Sequence, residues 1–333
     1  MKLPDLGLYG KSVLRLADLT DEQVVGLVDL AIALKARKRA GENLVDPLLK
    51  GKNICLIFEK SSTRTHCATC VAVHDEGGSP EYLSTSDIHF GKKESVKDSA
   101  RVLGRMFDGI MFRGFKQKTV EDLATYSGIP VWNGLTDDWH PTQILADFQT
   151  VKEHFGRLKG LKLAFLGDGR NNMANSLMVG CSKVGMNFVN VCPPELSPAQ
   201  EVLDIAAEGA KRNGCRIEVC HDPVAGVAGA NILYTDVWAS MGEEKLFQQR
   251  LAMLRDYQVN MAMVRNTGNA DPEKLIFLHC LPAFHNNETE VSKECGALEV
   301  TDEVFESAFS KVFDEAENRL HTIKAMIVAS LAK

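Results

Sequence analysis

Apolar positions along the chain repeat at two periods that alternate. Between residues 20 and 39, Val24, Leu27, Val28, Leu30, Ala31 and Leu34 recur at three- and four-residue intervals behind Thr20, Asp21 and Glu22. That start can cap a helix and complement its dipole, so the spacing predicts a first helix. Short apolar runs then predict strands at 54–58, 81–83, 109–112 and 131–132, separated by helical patterns over 65–76, 94–106 and 119–126. A long helical pattern at 140–155 ends on Gly156, and the rhythm restarts. Strands are predicted at 161–166, 187–191, 217–220, 232–235, 260–263 and 276–279, helices at 172–184 and 198–213, and one or two helices within 301–331. Strands alternating with helices in this way predict an α/β protein with two doubly wound parallel sheets.

Length supports the same division, because 333 residues exceed what one hydrophobic core usually sustains. The joint is expected near the helix that follows His140. An apolar fraction of 45% with 25% charged residues is ordinary for a folded chain and excludes a disordered one. A net charge of −6 provides no broad basic field, so nucleic acid is not an expected partner. A few converging cations and backbone N–H groups could still hold a small anion. The first residues lack an apolar signal core, and no run of about 18 uncharged apolar residues occurs, so no membrane partner and a cytoplasmic location are expected. Of nine cysteines only Cys67 and Cys70 have C-x-x-C spacing, and no second such pair completes a metal site. Reduced thiols and no bound metal are the expectation.

Candidate chemistry collects just after the predicted strands. Following 54–58 come Ser62, Thr63, Arg64 and Thr65 at a helix start. Hydroxyls, free N–H groups, the positive end of the helix dipole and a guanidinium together make a phosphate cradle. A Ser/Thr cap beside a solvated arginine is the plainer alternative, and the tetrapeptide alone leaves both open. Arg113 follows 109–112, His140 to Gln143 follow 131–132, and His279 to Pro282 close the last strand. In open α/β sheets these strand ends are where ligand contacts fall, although a single His or Cys there is more often a packed residue. Gly167, Asp168 and Gly169 also follow a strand, but the third glycine of a dinucleotide fingerprint is replaced by Asn172. A nucleotide cofactor is therefore not expected, and the turn serves to present Asn172.

Taken together, four separated motifs resemble the aspartate/ornithine carbamoyltransferase family from end to end. They are S-T-R-T at Ser62 to Thr65, H-P-T-Q at His140 to Gln143, D-x-x-x-S-M-G at Asp236 to Gly242, and H-C-L-P at His279 to Pro282. The resemblance implies that Ser62, Thr63, Arg64, Thr65, Arg113 and Arg319 hold the phosphate of carbamoyl phosphate. It further implies that His140, Gln143, Cys280 and Leu281 position the carbamoyl group. Arg64, Arg113, His140, Gln143, Cys280 and Arg319 are then the catalytic set. The S-M-G and H-C-L-P forms imply the ornithine branch, with Asn172, Asp236, Ser240 and Met241 on the acceptor.

The implied reaction is direct attack of the ornithine δ-amine on the carbamoyl carbon, giving citrulline and phosphate with no covalent enzyme intermediate, no metal and no organic cofactor. The implied domains are a carbamoyl-phosphate-binding one at 1–145 with helix 312–333, and an ornithine-binding one at 146–311. In family trimers the segment 87–93 reaches a neighbouring subunit, which implies a homotrimer or a multiple of trimers and makes His89 a carbamoyl-phosphate contact. Two residues depart from the common pattern: His66, where many relatives carry Arg, and His89, where bacterial relatives often have Gln. At His66 a cation is lost or made pH-dependent.

Overall fold

The computed structural model describes residues 1–84, 86–88, 93–238, 247–290, 292–293 and 295–333. They divide into two compact units, Met1–Gln149 with Ala316–Lys333, and Thr150–Glu315.

The first unit opens with helix α1 (Asp21–Arg39), where the Thr20 side chain accepts from Gln23 N and the Gln23 side chain accepts from Thr20 N. This reciprocal box satisfies two of the N–H groups that a helix start leaves open. Strands β1 (Asn53–Phe58), β2 (Ser79–Ser84), β3 (Gly109–Arg113) and β4 (Val131–Leu135) form one parallel sheet in the order β2-β1-β3-β4. They are joined by α2 (Thr63–Asp75), α3 (Val96–Leu103) and α4 (Gln117–Ser127). Cys55, Ile57, Ile110, Phe112 and Val131 pack with Val120 and Leu123 beneath α4, and all are buried. The chain leaves β1 toward one edge and returns to β3 on its other side. The carboxyl ends of β1 and β3 therefore flank the point where strand order reverses, the ligand position of such sheets.

Two helix ends moved from expectation for local reasons. α2 starts at Thr63 because Ser62 Oγ accepts from Thr65 N at 3.2 Å, making Ser62 the cap. α3 covers less than the predicted 94–106 because Ser95 caps it and Gly104 ends it. A Cβ at Gly104 would sit 1.8 Å from the Ser127 carbonyl oxygen, so the close approach of the ends of α3 and α4 requires glycine.

The second unit is a five-stranded parallel sheet in the order β7-β6-β5-β8-β9, from β5 (Lys162–Leu166), β6 (Asn187–Val191), β7 (Ile217–Cys220), β8 (Ile232–Thr235) and β9 (Ile276–His279). Its helices are α6 (Asn172–Val184), α7 (Gln200–Asn213), α8 (Pro223–Val227), α9 (Phe247–Leu254), α10 (Met261–Asn266) and α11 (Asp302–Phe305). Here strand order reverses between β5 and β8. The strand expected at 260–263 is instead the start of α10: Asn260 Oδ1 accepts from Met263 N at 3.0 Å and caps the turn. Met and Ala are good helix formers, and with a capping Asn in front a short apolar run resolves as helix. α5 (Pro141–Phe155) and α12 (Val312–Leu331) carry the chain between the units. No helix among the described residues is long and apolar enough to cross a membrane.

Within the first unit, α12 is held by a buried polar cluster. Lys324, fully buried, donates to Asp75 at 2.8 Å, and Lys38 meets the same carboxylate at 2.7 Å. Arg37 donates to the buried Glu76 at 2.7 Å, and Lys35 donates to Asn318 Oδ1 at 2.8 Å. One turn along α12, burial holds the His321 pKa down at about 4, with the Lys324 ammonium adding to the effect and Glu317 opposing it. Below pH 6.5 the unfolded chain gains a proton at this position that the folded chain refuses until about pH 4. Stability is therefore lost as pH falls through that window. Wild type should lose about 2 kcal/mol more than His321→Asn between pH 7 and pH 5 in denaturant titrations. Equal losses in the two proteins would remove His321 from the acid sensitivity.

Candidate active-site residues

In the first unit the predicted donor-side residues converge. Thr65, at 1% exposure, accepts through Oγ1 from Arg319 Nη2 at 3.1 Å and from Arg113 Nη1 at 3.5 Å. Arg319 Nη2 also donates to Thr142 Oγ1 at 3.0 Å, and its Nη1 donates to Gln143 Oε1 at 2.6 Å. Gln143 in turn donates to Asp147 Oδ1 at 2.9 Å, which fixes the amide orientation. α12 thus delivers one guanidinium to the first turn of α2 and to the first turn of α5. Arg113 and Arg319 are buried, so little water screens them.

His140 precedes α5 with Nδ1 at 3.3 Å from Thr142 Oγ1. Its pKa lies well below the ordinary imidazole range, first because the ring is buried and then because Arg319, Arg113 and Arg64 surround it with positive potential. At neutral pH it is an uncharged ring with one N–H to give. Ser62 caps α2, and Thr63 and Arg64 occupy its first turn. The ring of His66, further along that helix, stacks on Tyr82 at 4.1 Å and meets Phe58 edge-on. It fills an aromatic cluster spanning α2, β1 and β2. His89 lies outside the described residues.

In the second unit the ends of β8 and β9 bring Asp236, expected on the acceptor side, against Cys280. Asp236 Oδ1 accepts from Val237 N at 2.8 Å and from the Cys280 thiol at 3.2 Å, while Oδ2 accepts from Asn171 Nδ2 at 3.2 Å. Burial raises the Asp236 pKa, and His279 together with the Cys280 and Val237 hydrogen bonds opposes that rise. Asn172 is the first residue of α6, one position beyond the residue that touches Asp236. Ser240 and Met241 lie outside the described residues.

Cys280 and Leu281 are presented by a frame of buried carboxylates. Glu315 accepts from His279 N at 2.9 Å and from the Tyr234 hydroxyl at 3.1 Å. His279 Nδ1 accepts from Leu281 N at 2.9 Å, so the His279 proton sits on Nε2, facing Glu299 Oε1 at 3.3 Å. Glu299 also accepts from Phe284 N at 2.6 Å. Leu281 adopts φ 57°, a left-handed conformation that costs roughly 1 kcal/mol or more without glycine and that these bonds hold in place.

The loop before α6 is equally determined. Gly167 has φ 141°, and a Cβ at Gly169 would meet the Leu196 carbonyl oxygen at 2.6 Å and Asn190 Oδ1 at 2.8 Å. These glycines serve a tight turn against β6. Asp168 pairs with the buried Arg250 at 2.9 Å. Asp236, His279 and Cys280 bring one potential metal-binding atom each within 4.8 Å of one another, as do His285, Asp302 and Glu306. In the first group every such side chain is already engaged by protein, and in the second His285 Nδ1 meets Asp302 Oδ1 at 2.6 Å. Neither group needs an ion to satisfy it.

Thr142, Asn171, Glu299 and Glu315 were absent from the sequence-based set. Asn171 could have been found as the capping residue of α6. Buried acids such as Glu299 and Glu315 read in sequence as solvated surface.

Comparison with known proteins agrees along the whole chain. Residues 11–153 match the model for the carbamoyl-P binding domain of aspartate/ornithine carbamoyltransferase, and 159–330 match the Asp/Orn binding domain. The second match takes in residues 316–330, which pack with the first unit, so the packing gives the better boundary at that end. The chain is 55% identical over 333 residues to a catabolic ornithine carbamoyltransferase of Bacillus licheniformis, covering 98% of each, and 54% identical over 328 residues to that of Enterococcus faecalis, covering 97% and 96%. Among solved structures it is similar to ornithine carbamoyltransferase from Pyrococcus furiosus, with a TM-score of 0.89, 40% identity, and coverage of 97% and 98%.

Proposed function

The chain belongs to the aspartate/ornithine carbamoyltransferase family, and we propose that it transfers the carbamoyl group of carbamoyl phosphate to the δ-amine of L-ornithine, giving L-citrulline and phosphate. The observation that carries the acceptor choice is Asp236, a carboxylate held by three donors at the end of β8. An α-ammonium group needs such an anion. Aspartate as acceptor would call for cations there, and putrescine has no α-carboxylate for the amide of Asn172 to meet.

On the donor side, Ser62, Thr63, Arg64, Thr65, Arg113 and Arg319 hold the phosphate. Negative charge grows on the departing phosphate, so fixed guanidiniums and α2 N–H groups stabilise the transition state more than the ground state. Neutral His140 and the Gln143 amide lie beside that cluster and donate to the carbonyl oxygen as it becomes anionic. The δ-amine, deprotonated, forms the new C–N bond. The tetrahedral species then collapses: the C–O bond electrons leave with phosphate, which takes up the proton lost by the amine. Cys280 and Leu281 orient the carbamoyl group; direct attack by the amine leaves Cys280 no covalent role, and its thiol donates to Asp236. The catabolic direction in the relatives' names corresponds to phosphate and citrulline entering the same residues in reverse.

An acceptor panel tests the reading. With carbamoyl phosphate as donor, ornithine should be carbamoylated at least a hundredfold faster than putrescine, N-acetylornithine or aspartate, measured as product formed. Equal turnover of putrescine would overturn the ornithine assignment and leave the donor-side reading intact.

A further inference from the structure

We propose that Asn171 is a positioning residue for ornithine, acting through Asp236 by a function separable from its helix-capping one. The inference rests on the ornithine reading above and concerns a residue outside the predicted set.

Its side chain uses two groups for two tasks. Oδ1 accepts from Ala174 N at 2.8 Å and caps α6. Nδ2 donates to Asp236 Oδ2 at 3.2 Å. Capping needs only an acceptor, and Ser or Asp perform it about as well as Asn. Asparagine is therefore not required by the helix. What it adds is a neutral donor at a carboxylate oxygen.

That donor has a defined use. Val237 and Cys280 occupy Oδ1, so Asn171 fixes the rotation of the carboxyl plane through the other oxygen. A carboxylate in a half-buried place stays anionic only while donors compensate its lost hydration. The backbone under Asn171 cannot drift, because Gly169 is packed against Leu196 and Asn190 and its carbonyl oxygen accepts from Asn190 Nδ2 at 3.0 Å. Asp168, in the same loop, is tied to Arg250. The turn is thus a rigid arm that sets one amide against one carboxylate.

Three variants separate the tasks. Asn171→Ser keeps the cap and removes the Asp236 contact, and should raise KM for ornithine five- to twentyfold while leaving the carbamoyl phosphate Kd, read by calorimetry, unchanged. Asn171→Asp keeps the cap and sets a second carboxylate about as near to Asp236 as the amide it replaces. The two acids then share a proton, and the acid limb of kcat/KM for ornithine should move to higher pH. His279, Cys280 and Glu299 face the same carboxylate and are identical in all variants, so the shift belongs to position 171. Asn171→Ala, which lacks the cap, should also lower the melting temperature.

Wild-type KM for ornithine in Asn171→Ser together with an unmoved pH limb in Asn171→Asp would overturn the proposal. If wild type itself carbamoylates a different amine in preference to ornithine, the functional reading fails instead.

Discussion

Replacing Arg319 with alanine is expected to raise the Kd for carbamoyl phosphate roughly a thousandfold, since removing one partner of a buried charge-assisted contact costs about 3–5 kcal/mol. The guanidinium is 2% exposed and already aligned by Thr65, Thr142 and Gln143, so no side-chain ordering remains to offset the gain when the dianion arrives. The folded protein should tolerate the change. Arg319, Arg113 and Arg64 all place positive potential on one imidazole, and deleting one of three clustered cations relieves repulsion while it removes three hydrogen bonds. Inorganic phosphate should accordingly raise the melting temperature of wild type and leave that of Arg319→Ala nearly unmoved. The His140 pKa should move upward in the variant, because Arg319 is the strongest of the charges holding it down. Arg319→Lys supplies the charge without the fork and should recover only part of the affinity. Calorimetric binding within threefold of wild type would remove Arg319 from the phosphate site.

Much of this arrangement is legible in the sequence. Continuous apolar runs such as 54–58 and 109–112 give strands buried on both faces, and their ends fix where polar groups meet a ligand. Asp236 came from the family motif, whereas that rule pointed to Arg113, His140 and Cys280. It failed at 260–263 because a short apolar run carries no period of its own, and the Asn260 cap decides for helix. Glu299 and Glu315 were invisible for a different reason. A carboxylate is placed inside only by several converging donors, and those arrive from Phe284, His279 and Tyr234, distant in sequence. Asn171 was obscured by its neighbour: the family motif points to Asn172, while the local chemistry of a helix start points one residue earlier. His89, Ser240 and Met241 keep their expected roles as proposals, lying outside the described residues.

Asp236→Asn should reduce kcat/KM for ornithine by about a thousandfold, the consequence of leaving a bound ammonium group without its anion in a poorly hydrated place. The size follows from the environment: burial raises the Asp236 pKa, and in so poorly hydrated a place the field of a carboxylate on a bound cation is strong. The same penalty predicts the cost to folding. An ionised acid whose folded pKa lies above its unfolded value detracts from stability at neutral pH, and a neutral amide removes that burden. Asparagine brings one of its own, since its NH2 would face either the Asn171 amide or the Val237 N–H, both donors. The two effects oppose, so the urea midpoint should change little while activity collapses. Carbamoyl phosphate should still bind, because every contact proposed for its phosphate lies in the first unit and only the proposed Cys280 contact to its carbamoyl group adjoins Asp236. Asp236→Glu keeps the charge one methylene further out and should retain more activity than the amide, which separates charge from shape. An Asp236→Asn enzyme within tenfold of wild type on ornithine would mean that another group receives the ammonium, and the acceptor side would then have to be rebuilt around it.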